Sequence, residues 1–217
     1  MLTSVLAPLE KRVLIAMARR LPVCINSDHL TALALLAMVG AGASYWLARW
    51  TPIGLLLSVI FLFVNWFGDS LDGTLARVRN QQRPRYGFYV DHVVDAFGAL
   101  FLLTGLGASG YMSPEVAAML LIAYLMLSIE VMLATHTLGT FTISYFKVGP
   151  TELRILLAIG TFVLFVHPTA VIFGHAFKLF DVGGVCGAIG LFVTLVLSAI
   201  RNARQLYAAE PIPKAMP

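Results

Sequence analysis

The sequence predicts an all-α polytopic membrane protein, with six transmembrane helices behind an N-terminal amphipathic helix in the interface plane. Three observations carry that prediction. The 217 residues are 59% hydrophobic and 12% charged, with a mean hydropathy of +0.85, about half the roughly 25% charged residues usual in soluble domains. The apolar residues gather in stretches close to the ~20 residues that span a bilayer. The basic residues fall almost entirely on one side of the connections those stretches would make. One membrane domain over 1–217 follows, with no soluble module large enough to fold alone.

The elements follow in chain order. Over about 4–21, Val5, Leu6, Leu9, Val13, Met17 and Leu21 recur near helical spacing with basic residues between them. That pattern suits a helix lying in the interface; a solvated N-terminal helix is the plain alternative. Glu10, Lys11, Arg12, Arg19 and Arg20 interrupt the stretch, so no cleavable signal peptide is expected. The first span covers about 30–47, after "NSDHLT", where Ser27 or Asp28 is the expected cap. The second covers 53–76, the third 87–106, the fourth 114–135, the fifth 151–166 and the sixth 182–200. "GASGYMSP" and "VHPTA" supply turn chemistry between spans.

Placing the N-terminus in the cytoplasm puts 13 of the 15 basic residues on the cytoplasmic side, leaving Arg49 and Lys178 outside. The positive-inside rule favours that orientation, with both termini and the 68–95 segment cytoplasmic. The pI near 9.3 then reflects topology and anionic lipid, with the bilayer and no nucleic acid as partner. Cys24 and Cys186 lack metal-ligand spacing and imply no disulfide framework.

Four of the six aspartates stand between 69 and 95, flanked by apolar runs. At 3.6 residues per turn, Asp69, Asp72, Gly73 and Ala76 share one arc, and Gly87, Asp91 and Asp95 form a stripe on the next helix. The short "VRNQQRPRY" connection keeps the two helices antiparallel neighbours. Unpaired aspartates at mid-span cost about 2.5–3.5 kcal/mol each, roughly 10 for four. Divalent cations offset that charge best, because carboxylates without Cys or His are the hard ligands of Mg²⁺, Mn²⁺ or Ca²⁺. Two metals bridged from two helices make a clamp for a phosphoryl or pyrophosphoryl group. Gly73, Ala76 and Gly87 leave room beside such a site, and Arg77 can hydrogen-bond phosphate oxygens. Helix packing is the alternative reading of the small residues.

The spacing Asp69-x2-Asp72-Gly73-x2-Ala76-Arg77-x9-Gly87-x3-Asp91-x3-Asp95 resembles the signature of the CDP-alcohol phosphotransferases at all eight specified positions. The chain length and span layout are also similar to that family's. "PVCINSDHLT" resembles the family's Pro-Asn-x-Leu-Thr lead-in to the first span, with Ser27 where proline is customary. The resemblance implies two divalent ions, Mg²⁺ or Mn²⁺, held by Asp69, Asp72, Asp91 and Asp95. It implies that Asp95 is also the general base, taking the proton of an alcohol that attacks a CDP-linked donor with loss of CMP. It assigns the cytidine and pyrophosphate to Gly73, Ala76, Arg77 and Gly87. The implied partners are a CDP-linked lipid donor, above all CDP-diacylglycerol, and a small alcohol, often phosphorylated; family members are commonly homodimers. Transfer from CDP-choline or CDP-ethanolamine to a diglyceride is the other direction the family takes.

Lys147 and Arg154, the basic residues between spans four and five, are the candidates for binding an acceptor phosphate. Topological anchoring and a salt bridge to Glu152 are the plain alternative, with Thr151 as a cap for span five. Glu130 interrupts the fourth span and is a functional candidate, with a structural pair with Arg154 or a bundle-facing hydrogen bond as the plain alternatives. His136 reads as an interfacial histidine. Trp46, Trp50 and Trp66 read as interfacial aromatics, and Arg79, Arg83 and Arg85 as facing lipid head groups. Two other classes compete. A UbiA-type prenyltransferase would want an Asn-Asp-x2-Asp-x3-Asp motif, which Asn65 four residues before Asp69 matches poorly. A divalent-cation transporter would want acidic groups on the outer half and paired broken helices, and neither is seen.

Overall fold

The computed structural model describes residues 7–139 and 150–210 and is built from helices with one short hairpin. Helix α1 spans Ala7–Arg20, α2 Ser27–Leu47, α3 Ile53–Val78, α4 Pro84–Ala108, α5 Pro114–Leu138 and α6 Pro150–Leu164. Strands β1 (Thr169–Ile172) and β2 (His175–Lys178) lead into α7 (Leu179–Ala209).

Among the described residues five helices, α2 to α5 and α7, are long and apolar enough to cross a membrane. The expected fifth span, 151–166, falls on α6, which the described residues show from Pro150 to Leu164. It ends at Leu164 in a tightened turn, with Phe165 N donating to Phe162 O at 3.2 Å and Val166 N to Val163 O at 3.0 Å. The sequence between α6 and α7 forms a hairpin that the spans had not anticipated, with Thr169 opposite Lys178 and Ile172 opposite His175. Phe173 and Gly174 both take positive φ at its tip (51° and 81°), as a two-residue I′ turn requires. The outward faces are apolar: Leu36, Phe63, Ile122, Leu133 and Leu197 are each more than half exposed, which suits lipid as the surrounding medium.

Helix α2 packs between α3 and α4, α5 joins α4 to α7, and α6 leans on α3. Glycines set the closest crossings. A Cβ on Gly105 of α4 would stand 2.0 Å from the Gly42 carbonyl oxygen of α2, and one on Gly68 of α3 would stand 2.7 Å from the Leu30 carbonyl oxygen. At the far end, Tyr45, Leu55, Leu106 and Phe180 form one apolar cluster, and the Tyr45 hydroxyl meets Thr161 Oγ1 at 2.6 Å. There Asp181 of α7 caps α5 from outside, accepting from Ser113 N at 2.6 Å and Ser113 Oγ at 2.7 Å.

At the α3–α4 end, Leu14 and Ala18 of α1 pack on Leu30, Leu71 and Leu75. Met17 and Leu21 of the expected stripe pack on this cluster, while Val13 is exposed and Leu14 and Ala18 take the buried positions. Residues 4–6 of the expected helix lie outside the described residues. Asn26, not Ser27 or Asp28, caps α2, in a capping box with His29. Helix α3 ends in a Schellman motif: Gln81 N donates to Ala76 O at 2.9 Å and Asn80 N to Arg77 O at 3.2 Å, with Asn80 left-handed at φ 56°. Pro84 then opens α4, so the "RNQQR" connection reverses the chain in one tight step.

Candidate active site

The reversal brings the two aspartate faces together. Asp69 of α3 and Asp91 and Asp95 of α4 each offer a carboxylate oxygen within 4.8 Å of the others. Asp69 and Asp91 are half-buried and Asp95 is exposed, although Asp95 lies roughly 16 Å along the helix from Pro84. A carboxylate exposed that far into an apolar helix belongs to a polar cavity and not to a lipid-facing surface. Asp69, Asp72, Asp91 and Asp95 line a common cavity of ≈ 30 Å³ with Thr31, Asn65 and Arg154.

Asp72 stands apart from the triad. Its Oδ2 accepts from Thr31 Oγ1 at 2.6 Å, and its Oδ1 from the Gly73 amide. Ser27 Oγ donates to the Asp72 carbonyl at 3.0 Å. The close approach of α2 at Gly68 makes these contacts possible, since any side chain there would push Thr31 away from α3. Thr31 was visible in the sequence only as the threonine of the lead-in, without a role.

Arg154 of α6 donates from Nη2 to Asp69 Oδ2 at 2.6 Å, so the acceptor-phosphate candidate stands inside the carboxylate cluster. Lys147, the other candidate, lies outside the described residues. Glu130 makes the bundle-facing hydrogen bonds, not the pair with Arg154: it accepts from Ser198 Oγ at 2.8 Å and Asn202 Nδ2 at 2.7 Å, both on α7. Thr151 lies within α6, and its hydroxyl donates to Glu10 at 2.8 Å. The same Glu10 oxygen accepts from Trp66 Nε1 at 2.8 Å. Trp66 is thus an internal fastener between α1 and α3, unlike Trp46 and Trp50, which meet edge to face at 5.1 Å at the far end of α2.

The small residues of the motif are not packed against neighbours. A Cβ on Gly87 would meet nothing within 4 Å, and one on Gly73 only the Arg77 guanidinium, from 3.4 Å. This open space is not what helix packing would need. Ala76 lines a second, wider cleft of ≈ 400 Å³ with Asn26, Ser27, Gln81 and Gln82. Arg77 is exposed, with Nη2 3.1 Å from Thr74 Oγ1. Arg79 does not face head groups, because it donates to the Leu21 and Pro22 carbonyls at 2.9 Å and to that of Ile25. Arg83 stays half exposed, paired with Asp28 and 4.1 Å from the centre of the Tyr86 ring.

Residues 25–199 match the family model described as CDP-alcohol phosphatidyltransferase. The chain belongs to that family. It is a transferase of substituted phosphate groups and an integral membrane protein of phospholipid biosynthesis. The crystal structure of Mycobacterium tuberculosis phosphatidylinositol phosphate synthase with CDP-DAG bound shares its fold, with 19% identity, a TM-score of 0.56, and coverage of 95% of this chain and 98% of that one. No curated protein sequence matches it. The family depends on divalent metal, and the donor set fits: three convergent carboxylates with a fourth beside them, all hard oxygen.

Proposed function

We propose that this enzyme transfers a phosphatidyl group from a CDP-linked lipid, CDP-diacylglycerol in the first place, to the hydroxyl of a small alcohol, releasing CMP. The observation that carries the proposal is the convergence of Asp69, Asp91 and Asp95 at the family's motif spacing. The structural neighbour that holds CDP-DAG favours the diacylglycerol-linked donor. Mg²⁺ or Mn²⁺ would be held by Asp69, Asp72, Asp91 and Asp95, polarising the phosphoryl oxygens and offsetting the charge of the leaving CMP.

The chain's own residues supply the rest. Asp95 accepts the proton of the alcohol as its oxygen attacks the β-phosphorus and the bond from that phosphorus to the bridging oxygen of CMP breaks. Its exposure leaves it accessible to an incoming hydroxyl. Gly73 and Gly87 leave the space that the cytidine and pyrophosphate would fill, Ala76 borders the wider cleft, and the exposed Arg77 has N–H groups beyond the one on Thr74 to offer phosphate oxygens. Arg154 would bind an anionic acceptor, most directly one carrying a phosphate. The positive-inside pattern puts this end and both termini in the cytoplasm.

The test is CMP release from CDP-diacylglycerol in mild detergent with Mg²⁺ or Mn²⁺, against inositol phosphate, glycerol phosphate, serine and free inositol. Metal-dependent release with one acceptor, abolished in Asp95→Asn, is the expected result. Release only from CDP-choline or CDP-ethanolamine with a diglyceride would reverse the direction of transfer. Silence with every donor would refute the proposal.

A further inference from the structure

Asn65 lies four residues before Asp69, one helical turn along the same face of α3. Its side chain is 5% exposed. Nδ2 donates to the Ala34 carbonyl at 3.0 Å. A carbonyl only accepts, so the other amide atom is the oxygen. That oxygen, Oδ1, has no hydrogen-bond partner, and among the described residues no other buried side-chain polar atom lacks one. Buried polar atoms seldom go unanswered.

The surroundings define what can answer it. Asn65 lines the ≈ 30 Å³ cavity with Asp69, Asp72, Asp91 and Asp95. The hydroxyl and guanidinium that also line it, from Thr31 and Arg154, are turned to Asp72 and Asp69. Acceptors facing acceptors need either a cation or a bridging O–H between them. A cavity of that size admits about one such species, and the surrounding carboxylates favour the cation.

We propose that Asn65 Oδ1 is a further oxygen ligand for a divalent cation bound by Asp69, Asp91 and Asp95. It rests on the metal reading of the proposed function. A neutral amide adds a hard donor without adding to the repulsion among the carboxylates, and its bond to α2 holds the oxygen in place before the ion arrives.

The test titrates the metal-free full chain in detergent with Mn²⁺ alone, reading free ion by its paramagnetic resonance signal. Asn65→Ala is expected to weaken the Kd about tenfold, while Asn65→Asp, which restores an oxygen, binds at least as tightly as the wild type. Both variants lose the bond to the Ala34 carbonyl, so a purely structural Asn65 would weaken both alike. Thermal unfolding measured alongside reports that shared loss. If Asn65→Ala is not recovered folded, Asn65→Leu takes its place. Equal affinity in wild type and Asn65→Ala would overturn the assignment, as would equal weakening in the Ala and Asp variants. Absence of saturable Mn²⁺ binding by the wild type would overturn it as well. Intact Mn²⁺ binding without CMP release from any donor would instead count against the transfer reading alone.

Discussion

Gly87 separates the two readings of the motif's small residues, and substituting it gives opposite results under each. A glycine kept for helix packing is destroyed by any side chain. A Cβ at Gly87 would meet nothing within 4 Å, so Gly87→Ala fits the protein without displacing a neighbour, and Gly87→Leu starts from the same open space. Replacing glycine within a helix should even stabilise it, by up to about 0.5–1 kcal/mol, because less backbone freedom is lost on folding. Gly105 is the contrasting control, since its Cβ would stand 2.0 Å from the Gly42 carbonyl oxygen. Gly105→Ala must drive α2 and α4 apart, at a cost of about 1–3 kcal/mol or more. Thermal unfolding in detergent should therefore rank Gly87→Leu at or above wild type and Gly105→Ala well below it. CMP release should rank differently: Gly87→Leu fills space assigned to the nucleotide, and should raise KM for the CDP-linked donor at least tenfold. A Gly87→Leu protein with unchanged stability and unchanged KM would refute the assignment of that space to the donor.

Two further outcomes follow from single contacts. Arg154→Ala should raise KM for a phosphorylated acceptor by about 10- to 100-fold, from a charge-assisted interaction worth about 1.5–3 kcal/mol, while an acceptor without phosphate is affected less; equal effects on both, in steady-state kinetics, would make Arg154 a partner of Asp69 only. Glu10→Ala should lower stability by about 1–3 kcal/mol, since Trp66 Nε1 and Thr151 Oγ1 lose their shared acceptor. Glu10→Gln should recover much of that loss, and the intrinsic fluorescence of Trp66 in a Trp46→Phe, Trp50→Phe background would report whether the contact persists.

The fold class and the aspartate faces were legible because both depend on local period. Helical spacing alone puts Asp91 and Asp95 on one stripe, and the Schellman turn at Asn80 only had to reverse the chain for the faces to meet. The contacts that were not legible all join residues far apart in sequence. Glu10 meets Thr151 across 141 positions, Asp69 meets Arg154 across 85, and Glu130 meets Ser198 across 68. An isolated ionisable residue in an apolar run signals that it has a partner, but not which one. Two more departures were local. The Phe173-Gly174 turn lacked the Asn-Gly or Asp-Gly signature that marks a I′ hairpin. On α1 only Val13 was misplaced, because Val13 and Leu14 are similarly apolar and the surface of α3 decides between them.

Helix α3 ties these features together. One face carries Asn65, Asp69 and Asp72 towards the cavity, while Trp66 and Ser70, each one residue further on, turn about 100° away. Those two approach Glu10 on α1, at 2.8 Å and 3.5 Å. Glu10 also holds Thr151, three residues before the Arg154 that reaches back to Asp69. A closed circuit results, running from α3 through α1 and α6 and back to the first aspartate of the motif. Helix α6 leans chiefly on α3, and this circuit and the Tyr45–Thr161 contact at the other end hold it there. The N-terminal helix is therefore mechanically coupled to the site, and deleting it should displace Arg154 although none of its residues lines the cavity.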